Sequence, residues 1–324
     1  MANRVCETLG IEKPVICGPM AWTSTAPLVA AVSNAGGIGI LGVGFAPLEF
    51  VEAQIQETKR LTDKPFGINV ILIPDFALLD KITKVVEDER PAVVYADTLL
   101  NLDYELAKTY FDKWHALGSK VIVKASDIHD AIVADKAGSD VIVVKGWEGG
   151  GHVTYEATTV LVPQAADAIK APLIASGGIA DGRGMAAAIA LGAEGIEMGT
   201  IFLAAEETLV HPNVKQAVVN AQDMQSVITG TCTGEPCRQI KNRLSDELLR
   251  IEAEHIQGEA AELLRPVAES SLKKAMAEGD MENGAVMAGQ IAPLIKEIRP
   301  AAVIIDTVLA ECKEVLAKMP QYEF

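Results

Sequence analysis

Two glycine-containing turns about two dozen residues apart are the strongest chemical signal in this sequence. A Ser-Gly-Gly turn at 176–178 follows the apolar run 173–175, and a Gly-Thr turn at 199–200 follows the run 195–198. Glycine lets the backbone approach a ligand closely, and unpaired N–H groups at a turn or at a helix start attract anions. We therefore expect one phosphate group to bind between the two turns.

The candidate catalytic residue is His152, which follows three consecutive glycines on the loop after the apolar run 141–144. Few side chains can bury the ring on such a loop, although a lone histidine is often structural or solvated. An unperturbed imidazole pKa of about 6.5 suits proton transfer at neutral pH. His152 is therefore predicted to act in catalysis.

Three further candidate residues, Lys124, Asn69 and Met20, lie at or near the ends of apolar runs. Lys124 ends the run VIVK and could stabilise an anionic cofactor ring, or it could reach solvent along its apolar stem. Asn69 could hydrogen-bond to a planar heterocycle or form a turn, and Met20 could pack on such a ring or belong to the core. Lys145 and Glu148, beside the glycine loop, are expected to face solvent.

The apolar runs alternate with amphipathic segments throughout the first 200 residues. Their starts lie 21 to 32 residues apart, which is the spacing of a strand plus a crossover helix. Mostly apolar strands fit a parallel sheet buried on both faces. Eight strands are predicted, at 14–17, 38–41, 66–71, 92–95, 120–124, 141–144, 173–175 and 195–198. The α/β pattern predicts a (β/α)8 TIM barrel, with a doubly wound sheet as the alternative, and places the candidate residues at the carboxyl ends of the strands.

The pattern changes after the second turn. Helix-forming residues dominate 211–289, with little strand character, and an amphipathic pattern returns at 291–319. We therefore predict a barrel at 1–205, completed by C-terminal helices at 285–324, and a smaller, mainly helical second domain at 206–284 that caps the barrel mouth.

Composition limits the other function classes. A net charge of −16 disfavours nucleic acid and anionic membranes as partners. The N-terminal residues lack the apolar core of a signal peptide, and no apolar run reaches the length of a membrane span, so a cytoplasmic location is expected. The five cysteines form no CxxC pair and the five histidines lack metal-ligand spacing, so no metal site is expected.

Seven motifs together resemble the superfamily of flavin-dependent nitronate monooxygenases (2-nitropropane dioxygenases) and enoyl-acyl-carrier-protein reductases II. The resemblance extends over nearly the whole chain. The motifs are CGPMAW at 17–22, AVSNAGGIGILG at 31–42, LTDKPFGINV at 61–70, EGGGH at 148–152, SGGIADGRG at 176–184, MGT at 198–200 and MAGQIA at 287–292.

The resemblance implies an FMN-binding (β/α)8 barrel with a smaller helical domain. By position, His152 matches the active-site histidine of the superfamily. The residues implied to hold the FMN phosphate are Ser176, Gly177, Gly178, Gly199 and Thr200. Those implied to lie along the rest of the flavin are Pro19, Met20, Ala21, Asn69, Lys124 and Gly150.

The resemblance leaves three activities open. The motifs at 16–22, 65–69 and 287–292 favour NAD(P)H-dependent reduction of an enoyl thioester, with NAD(P)H as co-substrate. Nitronate oxidation with O2 and NAD(P)H:quinone reduction are the alternatives, since Cys17 and Ile201 replace a usual glutamine and arginine. The expected partner is a small-molecule or acyl-thioester substrate. The oligomeric state stays open, with a homodimer as the candidate.

Overall fold

Eight parallel strands form a closed barrel in the computed structural model, which describes residues 3–74, 77–98 and 101–321. Neighbouring strands pair in the order β1-β2-β3-β4-β5-β6-β8-β9, and β9 closes the barrel against β1. The barrel strands are β1 (Val15–Cys17), β2 (Ile38–Leu41), β3 (Gly67–Ile71), β4 (Val93–Asp97), β5 (Lys120–Ala125), β6 (Val141–Lys145), β8 (Leu173–Ser176) and β9 (Gly195–Met198). The predicted (β/α)8 barrel is confirmed, and each observed strand overlaps its predicted run.

The barrel interior is packed with side chains and is not a channel. Alternate strand residues point inward, and these inner residues form one buried cluster that includes Ile16, Ile40, Ile122 and Ile174. Val5 and Leu9 of the first helix belong to the same cluster, so that helix closes one end of the barrel. The chemistry is therefore confined to the other end, where the strands terminate in polar and glycine residues.

Helices cover the outside of the barrel and bury the second face of each strand. The helices up to β9 are α1 (Arg4–Leu9), α2 (Ala26–Asn34), α3 (Leu48–Leu61), α4 (Leu79–Glu89), α5 (Tyr104–Ala116), α6 (Ile128–Ala137), α7 (Thr158–Ala168) and α8 (Gly182–Ala190). Asp127 caps the start of α6, because its side chain accepts a hydrogen bond from the Asp130 N–H at 2.8 Å.

The C-terminal part of the chain is again mostly helical. Its helices are α9 (Thr200–Leu203), α10 (Pro212–Val219), α11 (Arg243–Glu254), α12 (Gln257–Ala268), α13 (Ser271–Met276) and α14 (Ala301–Lys318), with 3-10 turns at Thr231–Thr233, Ala292–Leu294 and Met319–Gln321. Helix α14 packs closely on α8, because a Cβ atom on Gly182 would lie 2.2 Å from the Cys312 nitrogen. Among the described residues, no helix has the length and apolar character needed to cross a membrane.

Two short strands interrupt the segment that was expected to show little strand character. They are β10 (Ser226–Thr229) and β11 (Cys237–Ile240), and they form an antiparallel sheet with β7 (Gly151–His152) in the order β10-β11-β7. Four-residue strands with polar members such as Arg238 and Gln239 lack the apolar run that marks the barrel strands. The small sheet pairs Cys237 with His152, so it attaches the glycine loop to this segment. The division into two domains remains a prediction.

Candidate functional site

A cavity of about 830 Å³ opens at the carboxyl ends of the barrel strands. This is the end at which (β/α)8 barrels carry their active sites. All twelve predicted site residues line it, although they come from six strand ends and loops: Pro19, Met20, Ala21, Asn69, Lys124, Gly150, His152, Ser176, Gly177, Gly178, Gly199 and Thr200. The tertiary structure therefore brings the complete predicted set together.

The two glycine turns offer backbone donors to this cavity. Gly177 and Gly178 have φ of 90° and 74°, in the left-handed region that glycine adopts without strain. Within the described part of the chain, the N–H groups of Gly177, Gly178, Gly199 and Thr200 have no hydrogen-bond partner. A Cβ on Gly177 would lie 2.9 Å from the Gly146 carbonyl oxygen. Free N–H groups on a glycine surface suit a phosphate group, so the residues present fit the phosphate of FMN.

The hydroxyl groups of the two turns are engaged with the protein. Ser176 Oγ donates to Glu197 at 2.7 Å, and Thr200 Oγ1 accepts a hydrogen bond from the Gly289 N–H at 2.8 Å. The backbone of these turns, more than their hydroxyl groups, is therefore available to an anion.

Glu197 is a buried carboxylate that the sequence reasoning missed. It lies on β9 and accepts hydrogen bonds from Tyr95 Oη at 2.6 Å and from Ser176. Burial raises its pKa, and the two hydrogen bonds oppose that shift. A Cβ on Gly18 would lie 2.7 Å from Glu197 Cδ, so the loop after β1 passes directly over the carboxylate. A glutamate within the otherwise apolar run 195–198 was the available signal.

We expect Glu197→Gln to change how stability depends on pH. The folded-state pKa of Glu197 lies above its ordinary 4.5, so above that pH the folded protein holds a proton that the unfolded chain releases. The wild type should therefore lose stability relative to the variant as pH rises from about 4.5 through the raised pKa. Urea unfolding of both proteins at several pH values measures this difference. Glu52→Gln, at an exposed position, is the control, and a pH-independent difference for Glu197→Gln would contradict the expectation.

Lys124 is buried at the base of the cavity. Its Nζ lies 2.7 Å from Asp97 Oδ1, and its side chain is 8% exposed. A strand-end lysine that reaches solvent would not be so buried, so the alternative in which the stem carries the charge to solvent does not hold. The ammonium group pairs with Asp97 at the cavity wall, and its role toward a ligand stays a prediction.

Lys145 and Glu148 do not face solvent as predicted. Lys145 Nζ turns into the loop and donates to the carbonyl oxygens of Gly150 at 2.7 Å and His152 at 2.9 Å. Glu148 accepts hydrogen bonds from the Thr158 N–H and hydroxyl group, at 3.0 and 2.8 Å. Both expectations were wrong because the glycine loop folds back across the end of β6, which encloses these side chains.

His152 lies at the open edge of the cavity, where the residue is partly exposed and the protein surrounds part of its ring. The surrounding protein and the positive charges of Lys124 and Lys145 lower its pKa, while Asp97 and Glu235 oppose the shift. The neutral ring therefore predominates at neutral pH. Neutral imidazole can donate or accept a hydrogen bond, which suits polarisation of a carbonyl group.

Asn69 has the turn-supporting role of its two alternatives, and its role toward a ligand stays a prediction. Its carboxamide oxygen accepts hydrogen bonds from the N–H groups of Val43 and Gly44, both at 2.7 Å, and so supports the loop after β2. Only its NH2 group is left to donate to a ligand in the cavity. The loop after β1 is held similarly, because Ser24 Oγ accepts from the Met20 N–H and donates to the Gly18 carbonyl group.

The outer part of the cavity is apolar. Trp22, Phe45, Phe50 and Leu209 line it and are between 40% and 68% exposed. Trp22 has a φ of 66°, a conformation that a bulky residue rarely adopts. The cavity thus has a charged inner end and an apolar entrance.

Comparison with known proteins matches this chain to one protein family over nearly its whole length. The family model described as nitronate monooxygenase matches residues 2–311. A probable nitronate monooxygenase of Staphylococcus aureus (strain N315) is 30% identical, with 97% of this chain and 98% of that protein covered.

Two solved structures are similar in fold and sequence. FabK from Thermotoga maritima is 39% identical with a TM-score of 0.91, and each chain is covered completely. Nitroalkane oxidase from Streptomyces ansochromogenes is 26% identical with a TM-score of 0.81, covering 97% of this chain and 99% of that one.

Proposed function

The chain belongs to the nitronate monooxygenase family, whose members include flavin oxidoreductases, and on this basis we propose that it uses FMN and NAD(P)H to reduce an enoyl thioester. The choice of an enoyl thioester as the substrate rests on the shape of the cavity. Its apolar entrance, formed by Trp22, Phe45, Phe50 and Leu209, suits an acyl chain, while the His152 ring at its edge can donate a hydrogen bond to a carbonyl group. The similarity to FabK, an enoyl-acyl-carrier-protein reductase II, supports the same choice.

Two sets of cavity residues would bind two different parts of FMN. The N–H groups of Gly177, Gly178, Gly199 and Thr200 would hold its phosphate, with Ser176 shaping the first turn. The residues that would lie along the rest of the flavin are Pro19, Met20, Ala21, Asn69, Lys124 and Gly150. When bound, FMN supplies hydride transfer between NAD(P)H and the acceptor.

Two side chains would complete the reduction. The neutral ring of His152 would donate a hydrogen bond to the thioester carbonyl oxygen, where negative charge develops as the β-carbon accepts hydride. The resulting enolate would then take a proton at its α-carbon from the His152 N–H, which solvent reprotonates at the cavity edge. The buried Lys124 ammonium group would stabilise negative charge deeper in the cavity. The apolar entrance would bind the acyl chain and exclude water from the reacting atoms.

Anaerobic stopped-flow absorbance tests this function. We expect NADH or NADPH to bleach the flavin rapidly, and crotonyl thioester, but not the saturated butyryl thioester, to restore its absorbance. Longer 2-enoyl thioesters should react with higher kcat/KM, by up to about 4-fold per added methylene, because each buried CH2 contributes about 0.8 kcal/mol. Failure of both nucleotides to reduce the flavin would contradict the proposal.

Nitronate oxidation is the second candidate, and the ammonium group of Lys145 favours it. Lys124 and Lys145 both line the cavity, and the two hydrogen bonds that Lys145 Nζ donates go to backbone carbonyl groups. A third donor of that ammonium group is left for an anion such as a nitronate. Flavin reduction by an alkyl nitronate without NAD(P)H would select this candidate, and reoxidation by quinones alone would select quinone reduction.

A further inference from the structure

The glycine segment of the loop that presents His152 has no side chains of its own to hold it in place. Residues 149–151 are three glycines, and glycine loses more conformational freedom on folding than any other residue. Backbone contacts hold the loop on both sides of the Gly150 carbonyl group: the Trp147 N–H donates to the Glu156 carbonyl group, the Gln290 N–H donates to the Glu148 carbonyl group, the Gly149 N–H donates to the Gly146 carbonyl group, and β7 pairs with β11. The Gly150 carbonyl group itself is left for a separate anchor.

Lys145 supplies that anchor from the inside. It ends β6, a strand of the rigid barrel, and its Nζ donates to Gly150 O at 2.7 Å and to His152 O at 2.9 Å. Hydrogen bonds from a charged donor are stronger than neutral ones. One side chain therefore ties both the glycine segment and the histidine backbone to the end of a barrel strand.

The ammonium group also acts on the imidazole ring through its charge. The charged or titratable groups that face His152 are Lys124, Lys145, Asp97 and Glu235, together with the Cys237 thiol opposite it in the small sheet. Lys145 is one of the two cations in this set, and both disfavour a protonated imidazole.

We propose that Lys145 is a positioning residue, which fastens the glycine loop to the barrel and holds His152 at the cavity edge in its neutral form. The proposal concerns the loop and the imidazole ring, so it holds for any of the candidate substrates.

Three substitutions separate the hydrogen bonds of Lys145 from its charge. Lys145→Met removes both, Lys145→Gln retains a donor without the charge, and Lys145→Arg retains charge and donors. Lys81→Met, at an exposed position on α4, is the matched control. Amide hydrogen exchange of Trp147, Gly149 and Val153, whose N–H groups are hydrogen-bonded in and around the loop, reports loop opening. NMR titration of the His152 ring reports its pKa, with His152→Ala used to assign the signal.

We expect exchange at these amides to rise roughly 10-fold in Lys145→Met, because two charge-assisted hydrogen bonds are lost. The His152 pKa should rise by roughly half a unit in both uncharged variants, since a nearby positive charge is removed. Lys145→Gln should show a smaller increase in amide exchange, and Lys145→Arg should restore both the exchange rates and the His152 pKa.

Two results would overturn the proposal. The first is that Lys145→Met has the same exchange rates and the same His152 pKa as Lys81→Met. Faster exchange with an unchanged His152 pKa in both uncharged variants would also overturn it, leaving Lys145 a purely structural role. If Lys145→Met does not fold, NMR titration of the His152 ring in Lys145→Gln tests the proposal, and an unchanged His152 pKa in that variant would overturn it.

Discussion

Replacing His152 with alanine is expected to lower kcat/KM for the enoyl thioester by roughly 10²–10⁴-fold while FMN stays bound. The imidazole lines the cavity at its open edge, away from the glycine turns that would hold the phosphate. Loss of the ring should therefore remove stabilisation of the developing negative charge without removing the cofactor site. Steady-state kinetics and the flavin absorbance of the purified variant measure the two effects.

The pH profile gives an independent check on the same residue. Because surrounding protein and two lysines lower the pKa of His152, the neutral ring persists below pH 6.5. We expect the wild-type rate to stay constant as pH falls to 6.5 and to change only below this lowered pKa, where the ring becomes protonated. His129→Ala is the control, since the His129 side chain is 70% exposed on α6. Unchanged turnover in His152→Ala, or equal losses in both variants, would contradict the assigned role.

Replacing Gly177 with alanine is expected to weaken FMN binding by roughly 100-fold. The new Cβ would lie 2.9 Å from the Gly146 carbonyl oxygen, so the turn must move, and its free N–H groups move with it. Two hydrogen bonds to a charged group contribute about 1.5–3 kcal/mol each, and loss of most of this accounts for the expected factor. Fluorescence titration of the flavin-free protein with FMN measures the dissociation constant.

Gly118→Ala is a closely matched control for Gly177→Ala. Gly118 has a φ of 89°, almost the same as the 90° of Gly177, but a Cβ there would meet no atom within 4 Å. Both variants therefore carry the cost of alanine in a left-handed conformation, about 1–2 kcal/mol. Only Gly177→Ala should lose FMN affinity. Similar FMN affinities in the two variants would show that the 176–178 turn does not hold the phosphate.

The barrel could be predicted because its signals are local. Each strand is an apolar run of a few residues, such as 38–41 or 141–144, and the crossover spacing between runs is fixed by the length of a helix and two turns. The small sheet was missed for the same reason. Its strands β10 and β11 are four residues long and only partly apolar. They pair with each other, and β11 also pairs with β7, which lies more than 70 residues earlier in the chain.

The sequence by itself determined the parallel barrel, the two glycine turns and the candidate histidine, because strand propensity, glycine geometry and chain spacing are properties of short segments. The charge states of the residues around the site depend on contacts that exist only in the folded protein. Tyr95 and Glu197 are 102 residues apart in sequence, and the hydrogen bond between them exists only when β9 closes the barrel against β1. Lys145 points into its own loop because that loop folds back over the strand end. Burial and long-range pairing set the charge state of these groups, and neither can be read from neighbouring residues.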